Sequence, residues 1–161
     1  MKIIKELSIE KPIEDVWEIL GNQFGEIDKW ASLIHKSEVS GEPSLPGVNY
    51  SIRSTETSQG PTKQELLEFN PASYSLKYKA IAGTPFFIKD ISAKWSLSKT
   101  NSDSTKLIFD FNFVAAGLLG MILTPIAKLK LAKIGDELLD DFKYYVENGQ
   151  PHPRKLTAAK R

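Results

Sequence analysis

The chain has 161 residues, 41% of them hydrophobic and 25% charged, with a formal net charge of +1. This composition is typical of a single soluble globular domain. The chain has no cysteine and only two histidines, His35 and His152. Disulfide bonds, cysteine-zinc sites and a thiol nucleophile are therefore excluded, and we predict neither a metal nor a cofactor.

The small net charge hides an uneven distribution. Residues 149–161 contain four basic residues and no acidic one, whereas the rest of the chain has 17 basic and 20 acidic residues. That larger part has a single arginine, Arg53, although arginine is the preferred side chain for phosphate and base contacts. We expect no nucleic-acid partner, and we expect 149–161 to be a solvated basic tail that follows one domain at 1–148.

We expect a cytoplasmic protein without a signal peptide, because charges recur at Lys2, Lys5 and Glu6. The longest apolar stretch, 113–123, has 11 residues, whereas a bilayer span needs about 20. Any membrane contact is therefore expected to be transient at most.

The first elements are a strand and two short helices. Residues 2–10 alternate between apolar and polar side chains, which predicts a strand. Pro12 is suited to the first position of a helix, and the apolar spacing of Ile13, Val16, Trp17 and Leu20 predicts one buried helical face. A second helical piece is predicted over 25–31.

A period of two dominates the middle of the chain. It predicts six further strands, at 37–42, 48–57, 62–70, 74–83, 88–99 and 104–115, separated by turn residues. The alternation is clearest in Leu107, Phe109, Phe111 and Phe113. Such alternation indicates an antiparallel sheet with one face on the core.

The last predicted element is a long helix over 125–147. Its apolar stripe comprises Ala127, Leu131, Ile134, Leu138, Phe142 and Tyr145. A single helix is about 10 Å wide and cannot fill the concave face of a curved six- or seven-stranded sheet. We therefore predict an α+β fold with a ligand cavity between the sheet and the helix.

Several segments resemble one known superfamily. They are 9–20 with its Val16-Trp17 pair, 24–30, the Pro-Gly turn in 45–48, the stretches 64–67 and 74–78, and 117–147 down to the end of the long helix. Together they resemble the helix-grip superfamily. It includes START-related lipid-transfer domains, birch-pollen allergen-like proteins, plant abscisic-acid receptors, and the polyketide cyclase/dehydrase and lipid-transport type, which the local matches favour.

The resemblance implies a carrier or sensor that encloses a hydrophobic small molecule such as a lipid, a polyketide or an isoprenoid. Two alternatives stay open: a cyclase, aromatase or dehydratase that uses cavity Glu and Tyr residues, and a protein-interaction module. The oligomeric state is also left open. Relatives often have an arginine shortly after the Pro-Gly turn, where this chain has Asn49 and Tyr50. By strand parity Arg53 points away from Tyr50 and Ile52.

Candidate catalytic residues are Glu65, Tyr50, Tyr78 and His35. By alternation Glu65 shares its face with Leu67 and Phe69. If that face is the concave one, burial would raise the pKa of its carboxyl group and suit it to acid or base chemistry, or to anchoring a polar ligand group by a hydrogen bond. The alternative is an ion pair with a lysine at the rim of the sheet. The predicted ligand-binding residues are Trp30, Tyr50, Glu65, Leu67, Tyr78, Phe86, Phe87, Trp95, Phe109, Phe111, Ile134 and Leu138. For the Tyr and Trp residues the alternative is core packing, and for His35 it is a structural role.

Two loops, 58–62 and 83–87, lie where hormone receptors of this superfamily have gating loops, with Phe86 and Phe87 as an apolar lid. The alternative is two ordinary hairpin turns. The apolar segment 113–123 is predicted to cap the cavity, the alternative being a membrane-touching patch.

Overall fold

A computed structural model describes residues 1–158. It contains seven strands, as the alternation predicts. They are β1 (Lys2–Ile9), β2 (Ile34–Ser40), β3 (Ile52–Thr57), β4 (Gly60–Asn70), β5 (Ser75–Ala82), β6 (Ile88–Asn101) and β7 (Ser104–Ala115). They form one antiparallel sheet in the order β1-β7-β6-β5-β4-β3-β2. Strands β2 to β7 follow one another as hairpins, and β1 closes the order beside β7.

The helices sit between and after the strands. Helix α1 (Ile13–Trp17) continues into a π-helical turn (Glu18–Asn22) and then a 3-10 helix (Phe24–Lys29). Helix α2 (Gly117–Asn148) follows the sheet, and α3 (Pro153–Ala158) follows α2. This is the predicted α+β helix-grip architecture, a curved antiparallel sheet that wraps around a long C-terminal helix.

Aromatic side chains hold α2 against the sheet. The Trp95 ring lies with its centroid 4.6 Å from that of Phe109 on the neighbouring strand and 5.8 Å from that of Phe142 on α2. Trp30 packs edge-on against Phe142, with the ring centroids 5.1 Å apart. All four are nearly inaccessible to solvent. Since each buries a large apolar surface, the C-terminal half of α2 is fixed to the sheet.

Helix α2 begins at Gly117, eight residues before the predicted start at Pro125. Proline favours the first turn of a helix, but here it lies in the interior and removes one backbone hydrogen bond. The apolar segment 113–123 is therefore not a connection. Its first residues end β7, and the rest form the first turns of α2.

The basic tail is ordered against the domain through residue 158. The carboxylate of Asp141, which is 1% exposed, accepts hydrogen bonds from the backbone N–H of Ser32 at 2.8 Å and from Arg154 Nη2 at 2.8 Å. Lys155 donates to the carbonyl of Ile34. The predicted solvated end thus does not hold for Arg154 and Lys155, whereas Lys160 and Arg161 lie outside the described residues. No helix within 1–158 is long and apolar enough to cross a membrane.

Candidate functional site

A β-bulge in β4 decides which side chains face α2. Leu66 pairs with Tyr78 and Glu68 pairs with Lys77, which leaves Leu67 as an extra residue. Because one inserted residue reverses the alternation, Leu66 and Phe69 both face the core whereas Glu65 faces outward. Glu65 forms an ion pair with Lys79 at 2.9 Å, and both side chains are 40% exposed. The predicted face shared by Glu65, Leu67 and Phe69 is therefore wrong.

Arg53 takes the inward position that Glu65 was predicted to occupy. It lies opposite Gln64 in the β3–β4 pairing and is 3% exposed. Its Nε donates to Gln64 Oε1 at 2.8 Å, as does Nη2, and its Nη1 donates to the carbonyl of Phe24 at 2.8 Å. The guanidinium carbon lies 3.7 Å from the centroid of the Phe24 ring and 5.1 Å from that of Tyr78.

The charge of Arg53 has no carboxylate partner among residues 1–158. Both of its acceptors are neutral amide or peptide oxygens. Burial lowers the pKa of the guanidinium, but arginine starts so far above neutrality that it stays a cation. Three of its five N–H groups donate to the acceptors named above, and the neighbouring Tyr78 hydroxyl also favours the charged form.

A depression of about 870 Å³ opens beside Arg53 at one end of the sheet. Its floor consists of buried side chains, namely Ile27, Ile34, Arg53, Thr55 and Tyr78. Ile134 and Leu138 of α2 form one wall, and the mostly polar segments 57–63 and 82–85 form the rim. The depression is thus open to solvent and lies where the sheet and α2 diverge.

The two loops predicted as gates meet at this rim. Gly83 has φ +82°, and a Cβ there would lie 2.2 Å from the carbonyl oxygen of Pro61. Only glycine combines this left-handed conformation with such a close approach. Segments 58–62 and 83–85 therefore support each other directly. Phe86 and Phe87 do not line the depression, and Phe86 is 81% exposed.

Behind the depression the interior is filled. A hollow of about 10 Å³, enough for about one water molecule, is surrounded by Arg53 and by aromatic side chains, namely Phe24, Trp30, Tyr78 and Trp95. Trp95 Nε1 donates to the Tyr78 hydroxyl at 3.4 Å. Where a ligand cavity is predicted between helix and sheet, the structure has an open depression and a small inner hollow, both bordered by Arg53 and Tyr78.

The remaining predicted contacts lie elsewhere. Phe109 is in the core, Phe111 packs against it, and Leu67 occupies the bulge. Tyr50 is half-buried and stacks on Phe24 with the rings 6° from parallel. Burial raises the pKa of its phenol. None of these four lines the depression, so of the predicted ligand contacts only Tyr78, Ile134 and Leu138 do.

The candidate catalytic residues are not brought together. Glu65 and Tyr78 face opposite sides of the sheet, and His35 is exposed beside the tail residues Arg154 and Lys155 in a separate depression. Sequence reasoning missed Arg53 as the inward-facing charge. The available signal was its position inside a strand as the only arginine before the tail.

The segment 113–123 does not cap the depression. Its helical residues Leu118, Leu119, Met121 and Ile122 are each at least 50% exposed.

Comparison with solved structures places this geometry in a common fold. A START superfamily protein from Mycobacterium smegmatis has a TM-score of 0.70 and 16% identity, over 92% of this chain and 99% of that one. The ZhuI aromatase/cyclase from Streptomyces sp. R1128 has a TM-score of 0.62 and 17% identity, over 94% and 99%. An uncharacterised protein from Bacillus thuringiensis has a TM-score of 0.73 and 16% identity, over 91% and 98%. Identities this low show the fold alone.

A search of curated protein sequences finds no match. The family model described as polyketide cyclase / dehydrase and lipid transport matches residues 2–147, which is nearly the whole of the sheet and α2. The chain therefore belongs to the polyketide cyclase/dehydrase and lipid-transport family, and it has the helix-grip fold.

Proposed function

We propose that the protein binds a hydrophobic small molecule in the depression beside α2, as a carrier or sensor, and that Arg53 receives an oxygen of that molecule. The observation that carries this proposal is the buried guanidinium of Arg53, which is 3% exposed, has no carboxylate partner in the described chain, and lies in the floor of the depression.

A buried charge is costly unless it is paired. Arg53 is stabilised by Gln64, the Phe24 carbonyl and the Phe24 ring, and each of these is weaker than an anionic partner. A carboxylate or an enolate-like oxygen at its remaining N–H groups would supply that partner. The preferred ligand is therefore an apolar molecule with one anionic or strongly polarised oxygen.

The rest of the site fits an apolar body. Ile27, Ile34, Ile134 and Leu138 offer aliphatic surface, and Tyr78 adds an aromatic wall. The volume of about 870 Å³ is within the range of about 300 to 1,000 Å³ that is usual for small-molecule sites. The polar rim at 57–63 keeps the opening wetted, so the apolar part of a ligand would be directed inward.

A catalytic role based on Glu65 and Tyr78 is not supported by their positions. These side chains lie on opposite faces of the sheet, and a general acid or base must reach the reacting group within hydrogen-bond distance. Binding, rather than the predicted Glu-Tyr chemistry, is the function that this geometry favours.

Calorimetric titration with dodecanoate and with dodecanol tests the proposal, because the two molecules share a chain and differ in the anionic oxygen. We expect dodecanoate to bind near one to one, and the Arg53→Met variant to weaken it roughly ten- to hundredfold, the worth of a hydrogen bond to a charged group. The affinity for dodecanol should change far less in the Arg53→Met variant. Mass spectrometry of small molecules that copurify with the protein then identifies the ligand class.

The Glu65→Gln variant is the matched control, since Glu65 is the outward-facing neighbour of Gln64. It should leave the dodecanoate affinity unchanged. Equal affinities of the wild type and Arg53→Met for dodecanoate, with both proteins folded by circular dichroism, would contradict the role of Arg53. A dodecanoate affinity that stays the same when Ile134 or Leu138 is replaced would contradict binding in this depression.

A further inference from the structure

The N-terminal half of α2 presents an apolar surface to solvent. Six large aliphatic side chains on it are between 50% and 76% exposed, namely Leu118, Leu119, Met121, Ile122, Ile126 and Leu129. The opposite side of the same turns, with Ala127, Leu131 and Ile134, faces the protein and is partly buried. The helix is therefore apolar on two sides, and only one of them is covered within the described chain. We call the exposed side the outer face of α2.

Lysines flank this outer face. Successive helix residues are about 100° apart, so Lys128 and Lys130 project to either side of Leu129. Lys133 lies one turn further on, with its side chain 80% exposed and its Nζ 4.0 Å from a Glu137 oxygen. From residue 111 to residue 135 the sequence has these three lysines and no acidic residue.

The loop that carries Phe86 packs against the start of α2. The backbone N–H of Ala116 donates to the carbonyl of Phe87 at 2.9 Å, which ties this loop to the start of α2. A Cβ on Gly120 would lie 2.6 Å from that same carbonyl oxygen, so the loop rests directly on the helix. Phe86, which is 81% exposed, is thus held beside the first turn of α2. Pro85, next in the loop, is on the rim of the depression.

We propose that the outer face of α2 and Phe86 dock the protein on the surface of an anionic lipid bilayer. An amphipathic helix with aliphatic side chains on one face and lysines along its sides lies in the interface of such a membrane, where its apolar residues enter the acyl boundary and its lysines meet the headgroups. No helix of the described chain is suited to spanning the bilayer, so the contact is peripheral.

The charge pattern favours a lipid surface over a second copy of the chain. A symmetric pairing through this face would bring the lysines of two copies toward each other, with the nearest acidic residues of α2, Asp136 and Glu137, beyond the end of the apolar face, which is unfavourable. Anionic headgroups instead attract each lysine near the surface. Docking would also bring the rim at Pro85 to the membrane, although the proposal does not depend on what the depression binds.

Cosedimentation of the full chain with vesicles tests the proposal without any pocket ligand. We expect binding to vesicles of phosphatidylglycerol and phosphatidylcholine in equal parts, little binding to phosphatidylcholine alone, and weaker binding at high salt. Lys128→Ala with Lys130→Ala should weaken binding about tenfold or more. Ile122→Glu should weaken it at least as much, because it places a charge in the apolar contact.

Two control variants make the same kinds of substitution, and the same change in net charge, away from the outer face of α2. Ile4→Glu alters an aliphatic side chain of β1 that is 54% exposed on the sheet, and Lys99→Ala with Lys106→Ala removes two lysines near the opposite end of the β6–β7 hairpin. Neither should change vesicle binding. Absence of binding to the anionic vesicles, or equal losses in the control variants, would overturn the proposal. So would a wild-type dimer that Ile122→Glu converts to a monomer, since this face would then belong to a second copy.

Discussion

Arg53 and Gln64 form a hydrogen-bonded pair in the lining of the depression, in which Gln64 Oε1 accepts from both Nε and Nη2 of Arg53. The two residues face each other in the β3–β4 pairing. Gln64 offers an amide oxygen where a carboxylate would neutralise the cation. The arrangement holds the guanidinium in place and leaves its charge for another partner.

Gln64→Glu should therefore compete with an anionic ligand. A carboxylate at Gln64 would pair with Arg53 permanently, which we expect to raise the free energy of unfolding by on the order of 1 kcal/mol and to weaken dodecanoate binding about tenfold or more. Calorimetric titration and chemical unfolding measure the two effects. Glu65→Gln, one residue away on the outer face, is the control and should do neither. Unchanged dodecanoate binding in Gln64→Glu would show that the ligand does not use Arg53.

The contact between the two rim loops makes a second prediction. Gly83→Ala adds a Cβ that would lie 2.2 Å from the Pro61 oxygen, in a residue at φ +82°. Gly60→Ala also forces a positive φ, of +117°, but meets no atom within 4 Å. We expect backbone strain to lower the free energy of unfolding of each variant by about 1 kcal/mol or more. In Gly83→Ala the clash should lower it by a further amount of similar size.

Chemical unfolding compares the two alanine variants, and limited proteolysis reports whether the rim has opened. Cleavage within 58–62 should become faster in Gly83→Ala than in Gly60→Ala. Equal losses of stability in both would show that the loops can separate freely, and would favour a movable gate.

Arg154 makes a third prediction, because it covers the buried carboxylate of Asp141. Arg154→Ala would leave that carboxylate with Ser32 alone, and we expect a loss of about 1 to 3 kcal/mol, below the value for fully buried pairs since Arg154 is partly exposed. Thr157→Ala, which removes a hydrogen bond within α3, is the control. A chain that ends at residue 149 should lose as much stability as Arg154→Ala. A full-length Arg154→Ala protein as stable as the wild type would contradict the anchoring role of Arg154.

The sheet could be predicted from the sequence because side-chain alternation reports burial directly. All seven strands were found, and β7 was predicted with its observed ends. The inward set on β4 could not be predicted in this way. The bulge at Leu67 leaves no mark in the alternation, and it reverses the orientation of every residue on one side of it. Alternation counted back from Phe69 therefore predicts an inward Glu65.

The predictions for the inward face of β3 and for the tail are wrong for a different reason, because both depend on contacts between residues far apart in the sequence. Parity separates Arg53 from both Ile52 and Tyr50, yet Tyr50 and Arg53 both pack on the Phe24 ring. Only the tertiary structure shows that Arg53 lies on the core side. Arg154 looked solvated because its partner Asp141 is an acidic residue within an amphipathic helix. Local patterns carry no information about a partner more than ten residues away.

Tyr50 makes the last prediction, which concerns stability at alkaline pH. Burial raises the pKa of its phenol above the ordinary value near 10. The folded state thus holds this proton when the unfolded state has released it, so the free energy of unfolding should fall as the pH rises through the unfolded and then the folded pKa. Tyr50→Phe should remove that part of the slope, while Tyr144→Phe, which also removes one phenol, should retain it. Urea unfolding at a series of pH values above 9 (about one unit below the ordinary tyrosine pKa) measures the slope of the free energy of unfolding against pH. Identical slopes in the wild type and Tyr50→Phe would show that the Tyr50 phenol is as well hydrated in the folded protein as in the unfolded chain.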